Sequence, residues 1–326
     1  MTNILIFIIV ILVIATLVQI VRVGELLSEI KNKDVNEVSD KDNNTQGLLF
    51  LIVGFGFLIF VVWQMITWNH LLLPPASSVH GTQIDLLMKV SMGLIIVVFF
   101  ITSPMLFYFA FKYRGKKSNN AYFLSHNNKL EVVWTVIPTI ILTVLIIFGL
   151  KTWDNAMNVE VTESTKLIEV YAKQYNWTAR YSGIDNKLGK ANYKLVKGKN
   201  TLGVDMLDVN SADDKMAREV HLVVNEPVLL KFRSQDVIHS AFLPHFRVQM
   251  NCVPGISTQF GFTPNKTTAQ MKESEGEDFE YVLLCNKICG ASHFNMQMKF
   301  IVETQEEYDI WIASQDNLEK KLLTQK

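Results

Sequence analysis

Long apolar runs fill the first half of the chain. Four of them are long enough to cross a bilayer, and they lie at residues 4–21, 47–66, 86–111 and 132–150. A spanning helix needs about 20 mostly apolar residues, because its length must match the thickness of the hydrocarbon core. None of the four runs contains more than one charged residue. The pattern therefore predicts four transmembrane helices.

The pattern of the second half is different. From about residue 160, short runs alternate apolar and polar positions between clusters of Pro, Gly, Asn and Asp, at 167–172, 228–232, 260–262, 279–284 and 298–302. Runs of this length are typical of an antiparallel sandwich or barrel, so we expect an all-β domain. The polar stretch 185–219 is interpreted as an insertion or long loop, and 303–317 regains helical character.

Charges in the loops predict the orientation of the helices. The loop 112–129 carries five basic residues and no acid, which places it in the cytoplasm, whereas the loop 68–85 has no Lys or Arg and lies outside. Both termini then lie outside, and the mixed-charge segment 22–46 is a solvated cytoplasmic linker. The first run is either a cleaved signal peptide or a retained helix. Residues 1–3 carry no basic side chain, which favours a retained helix.

Composition excludes one class of partner. The 326 residues include 31 basic and 31 acidic side chains, and 49% of the chain is hydrophobic. A neutral balance gives no signal for nucleic-acid binding. We therefore expect the chain to meet membrane lipid and other proteins.

A cluster of soft ligands near the end of the chain predicts a metal site. Cys285, Cys289, His293 and Met296 follow one another closely, and the separate stretch 234–240 offers His239. Sulfur and imidazole ligands favour copper over calcium or magnesium, and zinc more usually takes only cysteine and histidine. Two cysteines and two histidines suit a pair of copper ions bridged by both thiolates. A disulfide between the two cysteines stays open as the alternative.

These motifs resemble a known family. The spacing Cys-x-x-x-Cys-Gly-x-x-His-x-x-Met, preceded by Ser-x-Asp-Val-x-His-Ser, is similar to the binuclear CuA centre of cytochrome c oxidase subunit II. The resemblance implies a cupredoxin-like fold for the second half. It also implies two copper ions held by the thiolates of Cys285 and Cys289, the imidazoles of His239 and His293, the weak ligand Met296 and the backbone carbonyl of Lys287.

Two positions depart from the family pattern. Lys287 stands where the family usually places a glutamate, and Asn251 stands where it often has an aspartate. Both family acids support a magnesium or manganese ion at the interface with subunit I. An ammonium cannot ligate a cation. We therefore expect this ion to be absent or bound differently.

The resemblance also implies an organisation for the whole chain. Residues 126–138 resemble the start of the family's second membrane helix, and the common form has two spans, so the first two helices are additional. We expect two extra N-terminal helices with a polar linker at 1–68, followed by the subunit II hairpin at 69–151. A CuA domain with an insertion near 185–219 is expected at 152–306, and a C-terminal helix and tail at 307–326.

Four further residues have both a structural and a functional interpretation. Glu131 either favours a helix N-terminus or, as the resemblance implies, marks the mouth of a proton path into subunit I. Tyr175 stands where the family often has the tryptophan that receives electrons from cytochrome c, and Trp177 nearby is expected to pack close to the contact with subunit I. Asp236 matches a position that helps cytochrome c to dock. Cys252 is expected to be a small buried residue.

Two functions follow from these expectations. The first is the electron-accepting subunit of a proton-pumping terminal oxidase, an oxidoreductase and translocase in which CuA takes electrons from cytochrome c and passes them to haem in subunit I. Its expected partners are subunits I and III, and its expected location is the bacterial inner membrane, with the copper domain on the periplasmic side. The alternative is a membrane-tethered protein for copper binding or delivery. Quinol oxidases share the architecture but lack the copper ligands, so the ligands in this sequence argue against a quinol oxidase.

Overall fold

A computed structural model of the chain describes residues 2–30, 38–318 and 320. It confirms the fold class, with long helices in the first half and a β-domain in the second. Within the described residues, four helices are long and apolar enough to cross a membrane. They are α1 (Thr2–Ile30), α2 (Asp40–Thr67), α3 (Val79–Lys112) and α4 (Asn128–Met157).

The linker predicted over 22–46 is helical at both of its ends. Helix α1 continues to Ile30, and α2 begins at Asp40 after the N-cap Ser39. Ser39 and Asp42 form a capping box in which each side chain accepts from the other residue's backbone N–H. The remaining part of the predicted linker, residues 31–37, lies outside the described residues, as does the end of the predicted tail at 321–326.

The chain divides into two compact units. The first contains residues 1–70 and 95–127, and in it α2 packs against the second half of α3. Gly54 allows this approach, because a Cβ at this position would lie 2.2 Å from Cγ of Phe107. At the helix ends, the Asn43 amide donates to the Gly115 carbonyl at 3.1 Å, and Asp40 accepts from the Lys117 N–H at 2.9 Å. The additional helix α2 is therefore fastened to α3 by both packing and polar contacts.

The second unit contains residues 71–94 and 128–326, and its β-domain has two five-stranded sheets in the part of the chain that the structure describes. The first sheet has the order β3-β2-β1-β5-β8 and the second β4-β10-β9-β6-β7. The strands are β1 (Lys166–Lys173), β2 (Asn176–Tyr181), β3 (Lys215–Ala217), β4 (Val220–Val223), β5 (Val228–Ser234), β6 (His239–Leu243), β7 (Val248–Cys252), β8 (Thr258–Phe262), β9 (Tyr281–Cys285) and β10 (Gln297–Glu303).

The all-β expectation is confirmed, but the two sheets are not antiparallel throughout, as an antiparallel sandwich or barrel would be. Strand β1 pairs with β5 in parallel, and β10 pairs with β4 in parallel, while the other ladders are antiparallel. Parallel neighbours need a long connection. The chain supplies one between β1 and β5 by passing through β2, the insertion, β3 and β4. The apolar inner faces of both sheets, including Ile168, Phe232 and Phe300, are fully buried.

The predicted insertion is ordered by a buried charge network. Arg180 of β2 is 2% exposed, and its guanidinium donates to Glu169 at 2.8 Å and to Asp214 at 2.8 Å. The same side chain donates to the Gly189 carbonyl, inside the polar stretch, at 2.8 Å. Buried charges of this kind are stable only when they are paired. Arg180 therefore contacts the polar stretch near both of its ends. Strand β3, the last part of this stretch, pairs with β2 in the first sheet.

Short helices complete the second unit. The predicted helix over 303–317 is confirmed as α6 (Gln305–Ser314), and α5 (Thr268–Glu275), a largely polar helix, was not predicted. At the start of α3, Asp85 accepts from the Arg247 guanidinium at 2.8 Å. At the end of α4, the Met157 carbonyl accepts from the Gln259 side chain at 3.0 Å. These contacts attach the β-domain to the ends of two membrane helices.

Candidate metal centre

The predicted ligands meet at one end of the second sheet. His239 is the first residue of β6, and Cys285 is the last residue of the neighbouring strand β9. Cys289 lies in the loop that follows, His293 begins a short 3₁₀ turn, and Met296 directly precedes β10. Because β9 pairs with both β6 and β10, the loop returns across the end of β6. The fold thus brings together ligands that lie 57 positions apart in sequence.

Distances between the donor atoms define the site. Cys285 Sγ lies 3.8 Å from Cys289 Sγ and 3.8 Å from His239 Nδ1. Cys289 Sγ lies 3.6 Å from His293 Nδ1 and 3.8 Å from Met296 Sδ. The donor atoms of His239, Cys285 and Cys289 all lie within 4.8 Å of one another. Each sulfur therefore faces a different imidazole.

This spacing fits metal coordination. A sulfur ligand lies about 2.3 Å from a tetrahedral ion, so two sulfurs that bind the same ion are about 3.8 Å apart. A sulfur and a nitrogen that bind the same ion are slightly closer to each other, because the bond to nitrogen is shorter. The observed separations of 3.6 to 3.8 Å agree with these values. The disulfide alternative was wrong, because Cys285 and Cys289 are free and a disulfide needs about 2.05 Å between sulfurs. The residues present therefore fit a soft metal ion such as copper.

Lys287 presents its backbone to the site and its side chain to solvent. Its carbonyl oxygen lies 3.3 Å from Cys285 Sγ, which is the position that the resemblance implies. The side chain is exposed. Asn251 is also exposed, and its carbonyl accepts from the Thr258 hydroxyl at 2.6 Å. The backbone contribution of Lys287 is thus separate from the identity of its side chain.

Asp236 is hydrogen-bonded to the candidate ligand His239, which is 0% exposed. Asp236 Oδ1 lies 2.9 Å from His239 Nε2, so the carboxylate accepts a hydrogen bond from Nε2–H and leaves the Nδ1 lone pair facing the sulfurs. Asp236 Oδ2 also accepts from the Gln174 N–H at 2.7 Å. Burial alone would raise the pKa of Asp236, but these hydrogen bonds lower it below its ordinary value. The carboxylate therefore stays ionised beside the imidazole.

The Cys289 thiol is protonated before metal binds. Burial, together with the neighbouring Cys285, raises the pKa of Cys289 to about 11. Burial also raises the pKa of Cys252 to about 12. Cys252 is 0% exposed and pairs with His239 across β6 and β7, as expected for a small buried residue. A metal that binds Cys289 must displace its proton, so metal binding is expected to release protons.

The turn between β1 and β2 holds the ligand loop from the other sheet. The Gln174 side-chain amide donates to the Cys289 carbonyl, and the Tyr175 hydroxyl accepts from the Ala291 N–H at 3.0 Å. Trp177 is 1% exposed, and its indole N–H lies 3.4 Å from the Met296 carbonyl. Sequence reasoning gave Gln174 no role, because a contact across 115 residues leaves no local pattern.

Glu131 lies in a different part of the molecule. It stands in the first turn of α4, and its side chain is exposed. This position agrees with the simple interpretation that a carboxylate stabilises a helix N-terminus.

Comparison with known proteins decides the family. Residues 66–152 match the transmembrane domain of cytochrome c oxidase subunit II, and residues 167–304 match its periplasmic domain. The chain belongs to the cytochrome c oxidase subunit II family. As a member of this family, it is a multi-pass membrane protein with a cupredoxin-like periplasmic domain. Helix α1 and most of α2 precede the matched region.

Individual relatives agree with this assignment. The chain is 27% identical over 272 residues to the alternative cytochrome c oxidase subunit 2 of Bradyrhizobium diazoefficiens, covering 82% of this subunit II and 91% of the relative. It is 25% identical over 285 residues to cytochrome c oxidase subunit 2 of a Synechocystis strain, covering 82% of each. A solved periplasmic domain of subunit II from Bradyrhizobium japonicum is 23% identical, with a TM-score of 0.32 and coverage of 48% of this chain and 95% of that one.

Proposed function

We propose that this subunit II accepts electrons from a cytochrome c at a binuclear CuA centre and passes them to haem in subunit I, where oxygen is reduced. The complex would be a proton-pumping oxidase of the bacterial inner membrane, with subunit III as a further partner. Relatives named as cytochrome c oxidase subunit 2 support this function. The alternative of a membrane-tethered copper protein without an oxidase partner receives no support from them.

The paired arrangement of sulfur and imidazole carries the proposal. Cys285 and Cys289 each face the other sulfur and a different imidazole nitrogen, at 3.6 to 3.8 Å. The thiolates of Cys285 and Cys289 and the imidazoles of His239 and His293 would hold the copper pair, with Met296 and the Lys287 carbonyl as weaker ligands. When bound, such a pair supplies a carrier for single electrons. The chain contributes by excluding water, because both cysteines are at least 91% buried.

Metal analysis of the purified oxidase tests the centre. We expect two copper ions per chain in excess of those held by subunit I, a purple colour, and an unpaired electron shared by both ions in the electron paramagnetic resonance spectrum. One copper per chain, or a stable zinc form alone, would contradict the proposal. Haem that copurifies with the chain separates an oxidase subunit from a copper protein that acts alone.

The same preparation reports on the interface ion. A magnesium or manganese site needs carboxylates in octahedral geometry, and Lys287 and Asn251 stand where the resemblance expects two acids. We expect no stoichiometric manganese in oxidase from cells grown with excess manganese, because an ammonium near the site repels a divalent ion. A tightly held manganese signal, one ion per complex, would show this expectation to be wrong.

We further propose that Glu131 gathers protons for the path into subunit I. An ionisable group at the edge of the membrane is suited to this role, and Glu131 is exposed in the first turn of α4. Glu131→Gln should slow oxygen turnover several-fold, because the amide cannot exchange a proton, while copper content and assembly stay unchanged. Glu163→Gln, an exposed acid of the β-domain, serves as the control. If Glu131→Gln and Glu163→Gln show equal turnover, Glu131 has only the role of stabilising the helix N-terminus.

A further inference from the structure

We propose that the hydroxyl of Tyr175 positions the copper-ligand loop, by accepting a hydrogen bond from the Ala291 N–H. This inference rests on the proposed copper centre and adds a role that the aromatic ring alone cannot perform. It makes Tyr175 a positioning residue, whatever part the ring has in electron transfer. The loop in question is residues 289–293, which carries two of the ligands.

Two anchors from one turn hold consecutive parts of this loop. Gln174 and Tyr175 form the turn between β1 and β2, in the first sheet, while the ligands belong to the second. The Gln174 amide donates to the Cys289 carbonyl, and the Tyr175 hydroxyl accepts from the Ala291 N–H at 3.0 Å. These two hydrogen bonds therefore hold the backbone on both sides of Gly290.

Gly290 shows how closely the two segments approach. A Cβ on this residue would lie 2.3 Å from the Tyr175 hydroxyl oxygen and 2.9 Å from the Gln174 amide nitrogen. Its φ of 139° is also a conformation that residues with a side chain rarely adopt. The backbone at this position therefore favours glycine, and the tyrosine hydroxyl lies directly against the loop.

The anchored backbone directs the donor atoms. Cys289 precedes Gly290, and its Sγ lies 3.8 Å from Cys285 Sγ and 3.6 Å from His293 Nδ1. A metal site works only when its ligands are held close to the productive geometry by supporting groups. If Ala291 loses its acceptor, the segment between Cys289 and His293 can rotate. The copper pair would then be held with altered angles and bound less tightly.

The position of the contact makes the hypothesis testable without unfolding the domain. Tyr175 is 36% exposed and Ala291 is exposed, so water can reach the freed N–H after the hydroxyl is removed. Such a substitution should cost little stability. Any change is therefore expected at the copper centre, through the loop.

Tyr175→Phe in the full oxidase is the decisive variant, because it removes the acceptor and keeps the ring. We expect an altered copper hyperfine pattern and a 10- to 100-fold faster loss of copper to a chelator, the size of effect that supporting groups have on metal sites. Tyr181→Phe is the matched control: its hydroxyl accepts from the His221 N–H at 2.7 Å, away from the ligands.

The outcomes separate this inference from the proposed function. A changed spectrum and faster copper loss in Tyr175→Phe, with a normal spectrum in the control, support the positioning role. A normal spectrum and normal copper retention in Tyr175→Phe would overturn it. If the unaltered oxidase lacks two coppers per chain, the proposed CuA centre itself is wrong. That failure is visible before any variant is made.

Discussion

Cys289→Ser is expected to remove the two-copper centre and to stop electron uptake from cytochrome c, while the domain still folds. Cys289 Sγ lies 3.8 Å from Cys285 Sγ, 3.6 Å from His293 Nδ1 and 3.8 Å from Met296 Sδ. A serine hydroxyl is a harder ligand than a thiolate, so it cannot replace the bridge between two soft ions. The loss of turnover should exceed about a hundredfold, the upper range for removal of a mere supporting hydrogen bond.

Stopped-flow oxidation of reduced cytochrome c, together with copper analysis, measures this effect. Cys252→Ser is the control, because Cys252 is also buried and pairs with His239 across the sheet, but it does not belong to the group of possible metal ligands found among the described residues. It should keep both coppers and the purple colour. A Cys289→Ser oxidase that retains two coppers per chain and takes up electrons normally would contradict the assignment of Cys289 as a bridging ligand.

Sequence reasoning succeeded where the signal is local. Four apolar runs predicted the four membrane helices, because length and composition alone decide whether a helix can cross a bilayer. The candidate ligands Cys285, Cys289 and His293 were predicted because they lie within nine residues of one another. No local spacing links His239 to this group, and it was a candidate because the separate stretch 234–240 offers a second imidazole.

Contacts between distant segments could not be predicted in the same way. Strands β4 and β6 are buried on almost every residue, so the alternation that marks a half-buried strand is absent. The parallel pairing of β1 with β5 depends on where the chain returns, which no short window reveals. The Tyr175 contact with Ala291 spans 116 residues. These are the contacts that give the ligand loop its shape.

Asp236 shows how geometry can extend a prediction. The family resemblance implies that Asp236 helps cytochrome c to dock, and this stays a prediction. The structure adds that Asp236 Oδ1 lies 2.9 Å from Nε2 of the ligand His239, while its other oxygen accepts from the Gln174 N–H at 2.7 Å. The carboxylate thus connects the predicted copper ligand His239 to the turn between β1 and β2, which contacts the loop 289–293. A docking role and a positioning role predict different responses to substitution.

Asp236→Ala is expected to lower copper affinity 10- to 100-fold, because His239 loses the partner that fixes its tautomer and ring orientation. Asp236→Asn keeps an oxygen that can accept from Nε2–H, so its copper affinity should fall much less. Both variants lose the negative charge. If Asp236 also docks cytochrome c, both should raise KM to a similar extent, and this increase should vanish at high salt, since exposed charges are screened there.

Copper titration of the two variants and KM measured over a range of ionic strength therefore separate the roles. Asp278→Ala, which removes an exposed acid at a distance from the ligands, controls for a general change in charge. Equal copper affinity in Asp236→Ala and the unaltered oxidase would contradict the positioning role. If Asp236→Ala binds copper more weakly than Asp236→Asn while both variants have the same raised KM, one carboxylate serves both the metal and the electron donor. That result is the one we expect, because Asp236 is both hydrogen-bonded to His239 and 25% exposed.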